Sequence, residues 1–141
     1  MSASILVVED DRNQRLLYQA ELAAQGYTVF LASDGKQAVR MVECMSFDLI
    51  VMDICMPNMD GVEALGRILA KNCGIPIILN TAYVTYKDNF MTWAADAYVV
   101  KSSLMKELKD KIAGILGARD EELEQEERKE SWRVADSTYS F

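Results

Sequence analysis

Short, continuously apolar segments alternate along this chain with longer stretches whose apolar residues recur every three or four positions. Residues 5–8, 49–52, 75–79 and 97–100 are rich in Val, Ile and Leu, the pattern of strands buried on both faces. Residues 27–32 predict a fifth strand, placed nearer a sheet edge by Thr28 and its neighbours. Helical spacing joins Leu16, Leu17, Ala20, Leu22 and Ala23 into one stripe, and Ala38, Val39, Met41, Val42 and Met45 into a second. Val62, Leu65, Ile68 and Leu69 mark a third helix, and Leu104, Leu108, Ile112, Ile115 and Leu116 mark the last. A less regular segment at 84–93 is read as helix too. Boundary signals agree: Gly26 follows the first helix, Ser33-Asp34-Gly35 leads into the second, Pro57 and Gly61 bracket a loop, and Gly74 precedes a strand.

Five strands alternating with five helices predict an α/β fold, a doubly wound five-stranded parallel sheet. In such a sheet ligands bind beyond the carboxyl ends of the strands, near the point where strand order switches. After Gly117 the composition changes: between 119 and 130 only Leu123 is apolar among acids and a few basic residues, so this stretch has no face to bury. The expected division is one domain at 4–117 and an acidic C-terminal extension at 118–141, helical or partly disordered. For Trp132, Val134, Tyr139 and Phe141, loose packing on the domain is expected ahead of the alternative, a partner-docking segment.

Composition narrows the chemistry. Across 141 residues the chain carries 22 acidic and 15 basic side chains, a net charge of −7 that disfavours nucleic acid and anionic membrane as direct partners. It contains 0 histidines, which excludes a His-based triad, an imidazole-ligated zinc site and a phosphoryl group carried on its own imidazole. Apolar runs fall far short of the roughly 20 residues that span a bilayer. Met1-Ser2-Ala3-Ser4 does not begin a secretory signal, so a cytoplasmic location is expected. Cys44, Cys55 and Cys73 show no metal or disulfide spacing and are expected to be free thiols. Met41, Met45 and Met52 lie on apolar faces and are expected in the core.

The strand ends carry the remaining signal. The first strand runs into Glu9-Asp10-Asp11, the third ends at Asp53, the fourth at Thr81 and the fifth at Lys101. In the order 2-1-3-4-5, strands 1 and 3 are neighbours, so Asp10 and Asp53 meet, with Thr81 and Lys101 on the same rim. Carboxylates forced together repel unless a cation intervenes, and Mg²⁺ suits one or two carboxylates completed by water and phosphoryl oxygen. Acids, a divalent ion, an ammonium and a hydroxyl are the parts that stabilise a transferring phosphoryl group, with one carboxylate as nucleophile. Asp53, the single acid ending the central strand, is the natural nucleophile, Glu9 and Asp10 suit the metal, and Asp11 is available to cap the first helix.

With these residues the chain resembles the receiver domain of two-component response regulators, a flavodoxin-like and CheY-like (βα)5 fold. The resemblance covers residues 4 to 116 and is carried by ILVVEDD at 5–11, DLIVMDICMPNMDG at 48–61, ILNTAY at 78–83 and DAYVVK at 96–101. It implies that Asp53 accepts a phosphoryl group from a sensor histidine kinase or phosphotransfer protein. It implies also that Glu9, Asp10, Asp53 and the backbone carbonyl of Cys55 organise Mg²⁺, that Thr81 and Lys101 hold the phosphoryl oxygens, and that Tyr98 swings inward as Thr81 moves. The output surface, and a possible homodimer face, would lie around the fourth helix, the fifth strand and the fifth helix, as a population shift between two states. Such a domain is a regulatory phosphoacceptor rather than an enzyme with turnover.

Departures from the family pattern are local. Ser102 stands where a proline in a cis peptide usually follows the lysine, so the Lys101–Ser102 bond is expected either to carry a non-proline cis cost of about 2.5 to 4 kcal/mol or to take a trans path. The segment between Thr81 and Lys101 is about two residues short of the family pattern, and Ala94-Ala95-Asp96 stands where Gly-Ala-Asp is common, so a short or irregular fourth helix is expected. Tyr83 is expected to hinder in-line water, and Cys55 to fill space rather than sense oxidants. Roughly 25 residues follow the last receiver helix, too few for a DNA-binding domain, so a stand-alone switch acting through protein contacts is the favoured reading, although the chain could equally be cut from a larger protein. The alternatives are a phosphorylation-independent pseudo-receiver scaffold and, last, an Asp-nucleophile hydrolase.

Overall fold

The computed structural model describes residues 2–53, 61–71, 74–81, 96–101 and 105–139. Five strands, β1 (Ser4–Val8), β2 (Thr28–Ala32), β3 (Leu49–Met52), β4 (Ile77–Thr81) and β5 (Ala97–Val100), pair in parallel in the order β2-β1-β3-β4-β5. Among the described residues there are four helices: α1 (Arg12–Ala24), α2 (Gly35–Cys44), α3 (Gly61–Lys71) and α4 (Lys106–Tyr139). The helix expected at 84–93 lies outside the described residues, and the last helix expected from the sequence is α4.

Strand alternation sends successive side chains to opposite faces and so divides the core in two. Leu6, Val8, Ile50, Met52, Ile77 and Leu79 face α2 and α3, where Ala38, Val39, Val42, Ala64, Leu65 and Ile68 meet them. Ile5, Val7, Leu49, Val51, Ile78 and Val99 face α1 and α4, packed by Tyr18, Leu22, Leu108, Ile112 and Leu116. Continuing the second alternation by one step beyond each strand puts Glu9, Asp53 and Lys101 on the α1 side of the sheet. Asn80, two residues after Ile78, falls on that side as well.

The caps follow from single residues. Asp11 accepts from the Gln14 backbone N–H at 3.0 Å and starts α1, and Asp34 does the same for α2 through Gln37 at 2.8 Å. At the end of α1 the chain turns at Gly26, whose φ of 95° suits a residue without Cβ. There the Gly26 N–H donates to Ala23 O and the Tyr27 N–H to Leu22 O, the paired bonds of a Schellman end. Strand starts are pinned by carboxylates: the Ser4 N–H donates to Asp48 at 2.7 Å and the Ile77 N–H to Asp96 at 2.8 Å.

Several expectations need correction. The buried face of α1 is Tyr18 and Leu22, while Leu16 and Leu17 are about half exposed and Ala20 and Ala23 are exposed, because Gln14, Arg15 and Tyr18 turn inward to polar partners at the strand ends. Strand β4 starts two residues later than expected, after Pro76, which has no N–H to give a ladder. Met45 caps the C-terminus of α2 and is exposed, whereas Met41 and Met52 pack in the core as expected. Trp132 does not pack on the domain. Helix α4 continues without a break past Arg119, which donates a guanidinium N–H to Asp48 O at 2.6 Å and is the last of the described side chains with such an anchor. At 1.5 Å per residue the helix carries Trp132 about 20 Å farther, and its side chain is 72% exposed.

Candidate functional site

The register sets the site. Val8 of β1 pairs with Met52 of β3, so Glu9 and Asp53 leave adjacent strands at the same level. Thr81 of β4 pairs with Val100 of β5, so Lys101 follows directly on the same rim. Glu9 and Asp53 are buried, whereas Asp10 is exposed. Carboxylate oxygens of Glu9, Asp10 and Asp53 lie within 4.8 Å of one another. Three acids this close, two of them buried, form a hard-oxygen donor set that fits Mg²⁺.

Lys101 enters the same space from β5. Its Nζ donates to Glu9 Oε2 at 2.7 Å, to Gln14 Oε1 at 2.9 Å and to Asp53 Oδ2 at 3.0 Å. Three acceptors match the three protons of an ammonium. Burial pushes the Glu9 carboxyl up to about 7, and the neighbouring Asp53 charge adds to that, while the hydrogen bond and charge of Lys101 pull the other way. For Lys101, burial lowers the pKa, but hydrogen bonds and charges from Glu9 and Asp53 outweigh it and leave the ammonium favoured.

A polar lining from α1, which apolar periodicity does not register, surrounds this centre. Arg15 donates from one guanidinium nitrogen to the carbonyls of both Glu9 and Asp10 at 2.9 Å, fixing the acidic loop from behind. The Asp11 N–H donates to Glu9 Oε1 at 3.3 Å. Asn80 donates to the Tyr18 hydroxyl at 2.9 Å, and burial raises the pKa of that phenol. The available signal was positional: Gln14, Arg15 and Tyr18 occupy one face of α1 by helical spacing.

Glu9, Asp10, Asp53 and Lys101 are thus brought together, and Asp11 is a helix cap rather than a ligand. Thr81 ends β4 and Tyr98 pairs with Leu79 within β5. The roles of their side chains, and what the sequence leads one to expect of Cys55, Cys73, Tyr83, Leu104 and the Lys101–Ser102 bond, lie outside the described residues. Cys44 is a free, exposed thiol, as expected. Among the described residues no helix is long and apolar enough to cross a membrane.

A family model described as the response regulator receiver domain matches residues 5–113. The crystal structure of the response regulator protein TrrA from Thermotoga maritima, in complex with Mg²⁺-BeF, is 41% identical, with a TM-score of 0.78 over 82% of this chain and 99% of that one. A structure of the histidine kinase ThkA in complex with TrrA matches at 41% identity and a TM-score of 0.77, over 82% of this chain and 99% of the other. The response regulator MprA of Mycobacterium ulcerans is 34% identical over 100% of this chain and 61% of its own length, so the chain spans about three fifths of that relative.

Proposed function

The chain belongs to the response regulator receiver family, and from that premise we propose that it is a phosphorylation-dependent switch whose Asp53 accepts a phosphoryl group from a partner phosphohistidine. The observation that carries this reading is the meeting of Asp53 with Glu9, Asp10 and the Lys101 ammonium, in a chain with 0 histidines of its own. A kinase partner accords with the ThkA–TrrA complex, and a metal with the Mg²⁺-BeF complex of TrrA.

In the transfer, a carboxylate oxygen of Asp53 attacks phosphorus, an O–P bond forms and the P–N bond breaks. The electron pair leaves with the partner's imidazole, and Asp53 becomes an acyl phosphate. Water later attacks phosphorus, returning the carboxylate and inorganic phosphate. The buried position of Asp53 on a strand end restricts its motion and so favours an in-line approach. Lys101 neutralises charge spread over the phosphoryl oxygens, and the Thr81 hydroxyl is assigned to a further one. Glu9, Asp10 and Asp53, with the Cys55 carbonyl, would hold Mg²⁺. When bound, that ion supplies positive charge where two buried carboxylates and a phosphoryl group meet.

Output is assigned to protein contacts through a Thr81 and Tyr98 shift toward the face that includes β5 and α4, with a phosphorylation-dependent homodimer through that face as one form of it. The receiver is assigned to 4–117, the acidic segment from 118 is an extension of α4, and the setting is cytoplasmic. Slow self-dephosphorylation, hindered by Tyr83, is the only turnover expected. Incubation with a small acyl phosphate and Mg²⁺, read by intact mass, tests the reading: one added phosphoryl group, lost in Asp53→Asn, supports it. No adduct would favour a phosphorylation-independent scaffold, and rapid multiple turnover a hydrolase.

A further inference from the structure

Glu9 and Asp53 serve two masters. Both are acceptors for Lys101 and both belong to the acidic donor set, so a metal or phosphoryl group that draws them away leaves the ammonium with fewer partners. Gln14 is different: it contacts Lys101 at 2.9 Å, is neutral, and does not belong to the acidic set. Its availability has a local cause. A glutamine at the third position of a helix ordinarily reaches back to the N-cap N–H. Here the N-cap is Asp11, and its N–H is taken by Glu9 Oε1 at 3.3 Å. The Gln14 side-chain amide is therefore released toward β5, while its backbone N–H stays bound to Asp11 Oδ1.

We propose that Gln14 is a positioning residue, a charge-neutral third acceptor that keeps the Lys101 ammonium over Asp53 when the two carboxylates turn to other partners; this rests on the phosphoacceptor reading above. An uncharged acceptor suits the task, since a third carboxylate would add repulsion among groups already crowded. Lys101 is followed by Ser102, so no proline ring restrains the chain after it, and a side-chain anchor from α1 supplies a restraint from the opposite direction.

The test compares wild type with Gln14→Met, which is similar in length, lacks the acceptor and leaves the Asp11 cap in place. The first readout is the ¹⁵N ammonium signal of Lys101 in the intact chain, visible only when its protons are held against exchange. It is expected in wild type with and without Mg²⁺, retained in Gln14→Glu and lost in Gln14→Met. The second is phosphoryl uptake from a small acyl phosphate at saturating Mg²⁺, expected to slow about tenfold in Gln14→Met, the scale of one hydrogen bond to a charged group. On a Lys101→Met background the same substitution should slow it no further. A Gln14→Met protein whose ammonium signal persists, or whose uptake stays within twofold of wild type, overturns the assignment. Should wild type take up no phosphoryl group, the proposed function falls, and the ammonium signal alone decides whether Gln14 holds Lys101.

Discussion

The Tyr18 hydroxyl and the Asn80 side-chain amide meet at 2.9 Å in a buried hydrogen bond between α1 and the last turn of alternation in β4. Asn80 is 4% exposed and Tyr18 is 7% exposed, so neither polar group has ready access to water if the other is removed. Tyr18→Phe keeps the ring and strands the amide, at an expected cost of about 1–3 kcal/mol. Urea denaturation checks this, and a loss much smaller than the range would mean that water reaches Asn80. Asn80→Leu combined with Tyr18→Phe should recover part of the loss, because two apolar groups leave nothing unsatisfied.

Lys101 compensates two buried carboxylates at once, with its own side chain only 15% exposed. Lys101→Met leaves Glu9 and Asp53 without that counter-charge, and in the presence of a chelator the protein is expected to lose about 3–5 kcal/mol, the scale of a broken buried pair. Mg²⁺ should then stabilise the variant by more than it stabilises wild type, since the ion replaces the missing charge. Paired melting curves with chelator and with Mg²⁺ give the comparison, and equal Mg²⁺ shifts in the two proteins would contradict it.

The sheet and the acidic centre were legible because both are written in short local signals: unbroken apolar runs for β1 and β3, and acids placed directly at their ends. The orientation of α1 was not. Of the apolar stripe Leu16, Leu17, Ala20, Leu22 and Ala23, Leu22 alone is buried as expected; the helix turns inward a face where Tyr18 packs beside it and Gln14 and Arg15 find partners. A hydrophobic pattern counts only apolar burial, and it misreads a helix whose inner face is polar because a polar site lies beneath it. Trp132 failed for another reason: aromatic character predicts burial only where the chain lies against the domain, and at Trp132 α4 does not, while the side chains of Val134, Tyr139 and Phe141 lie outside the described residues.

Everything in α4 from residue 120 to 132 is exposed, and Arg119 is the last residue with a tertiary anchor among the described side chains. Ending the chain after residue 120 should therefore change the stability of the domain by less than about 1 kcal/mol, because surface positions away from packed features contribute little. Arg119→Ala removes the bond to the Asp48 carbonyl and should cost more than the whole truncation. Chemical denaturation of the two variants orders them, and a larger loss on truncation would show that the extension folds back on the receiver in solution.

On the proposed reading, in which Glu9 helps hold Mg²⁺, a Glu9 carboxyl raised to about 7 would link protons to the metal. Its ordinary value is 4.5, so between about 4.5 and 7 the folded protein binds more protons at this group than the unfolded chain does. The contribution of Glu9 to stability is then greatest below 4.5 and falls as pH rises through that window, because folding must bury a carboxyl that increasingly prefers to ionise. A Mg²⁺ ion held by Glu9 would take the ionised form, so it would displace that proton and gain affinity over the same interval. The expected result is a Mg²⁺-induced rise in Tm that is small at pH 5, grows toward pH 7 and levels off above it. Glu9→Gln should remove most of that growth and leave a weaker Mg²⁺ effect. Melts in chelator and in Mg²⁺ at half-unit pH steps measure both curves, and a wild-type Mg²⁺ shift that is flat from pH 5 to 7 would detach Glu9 from the metal.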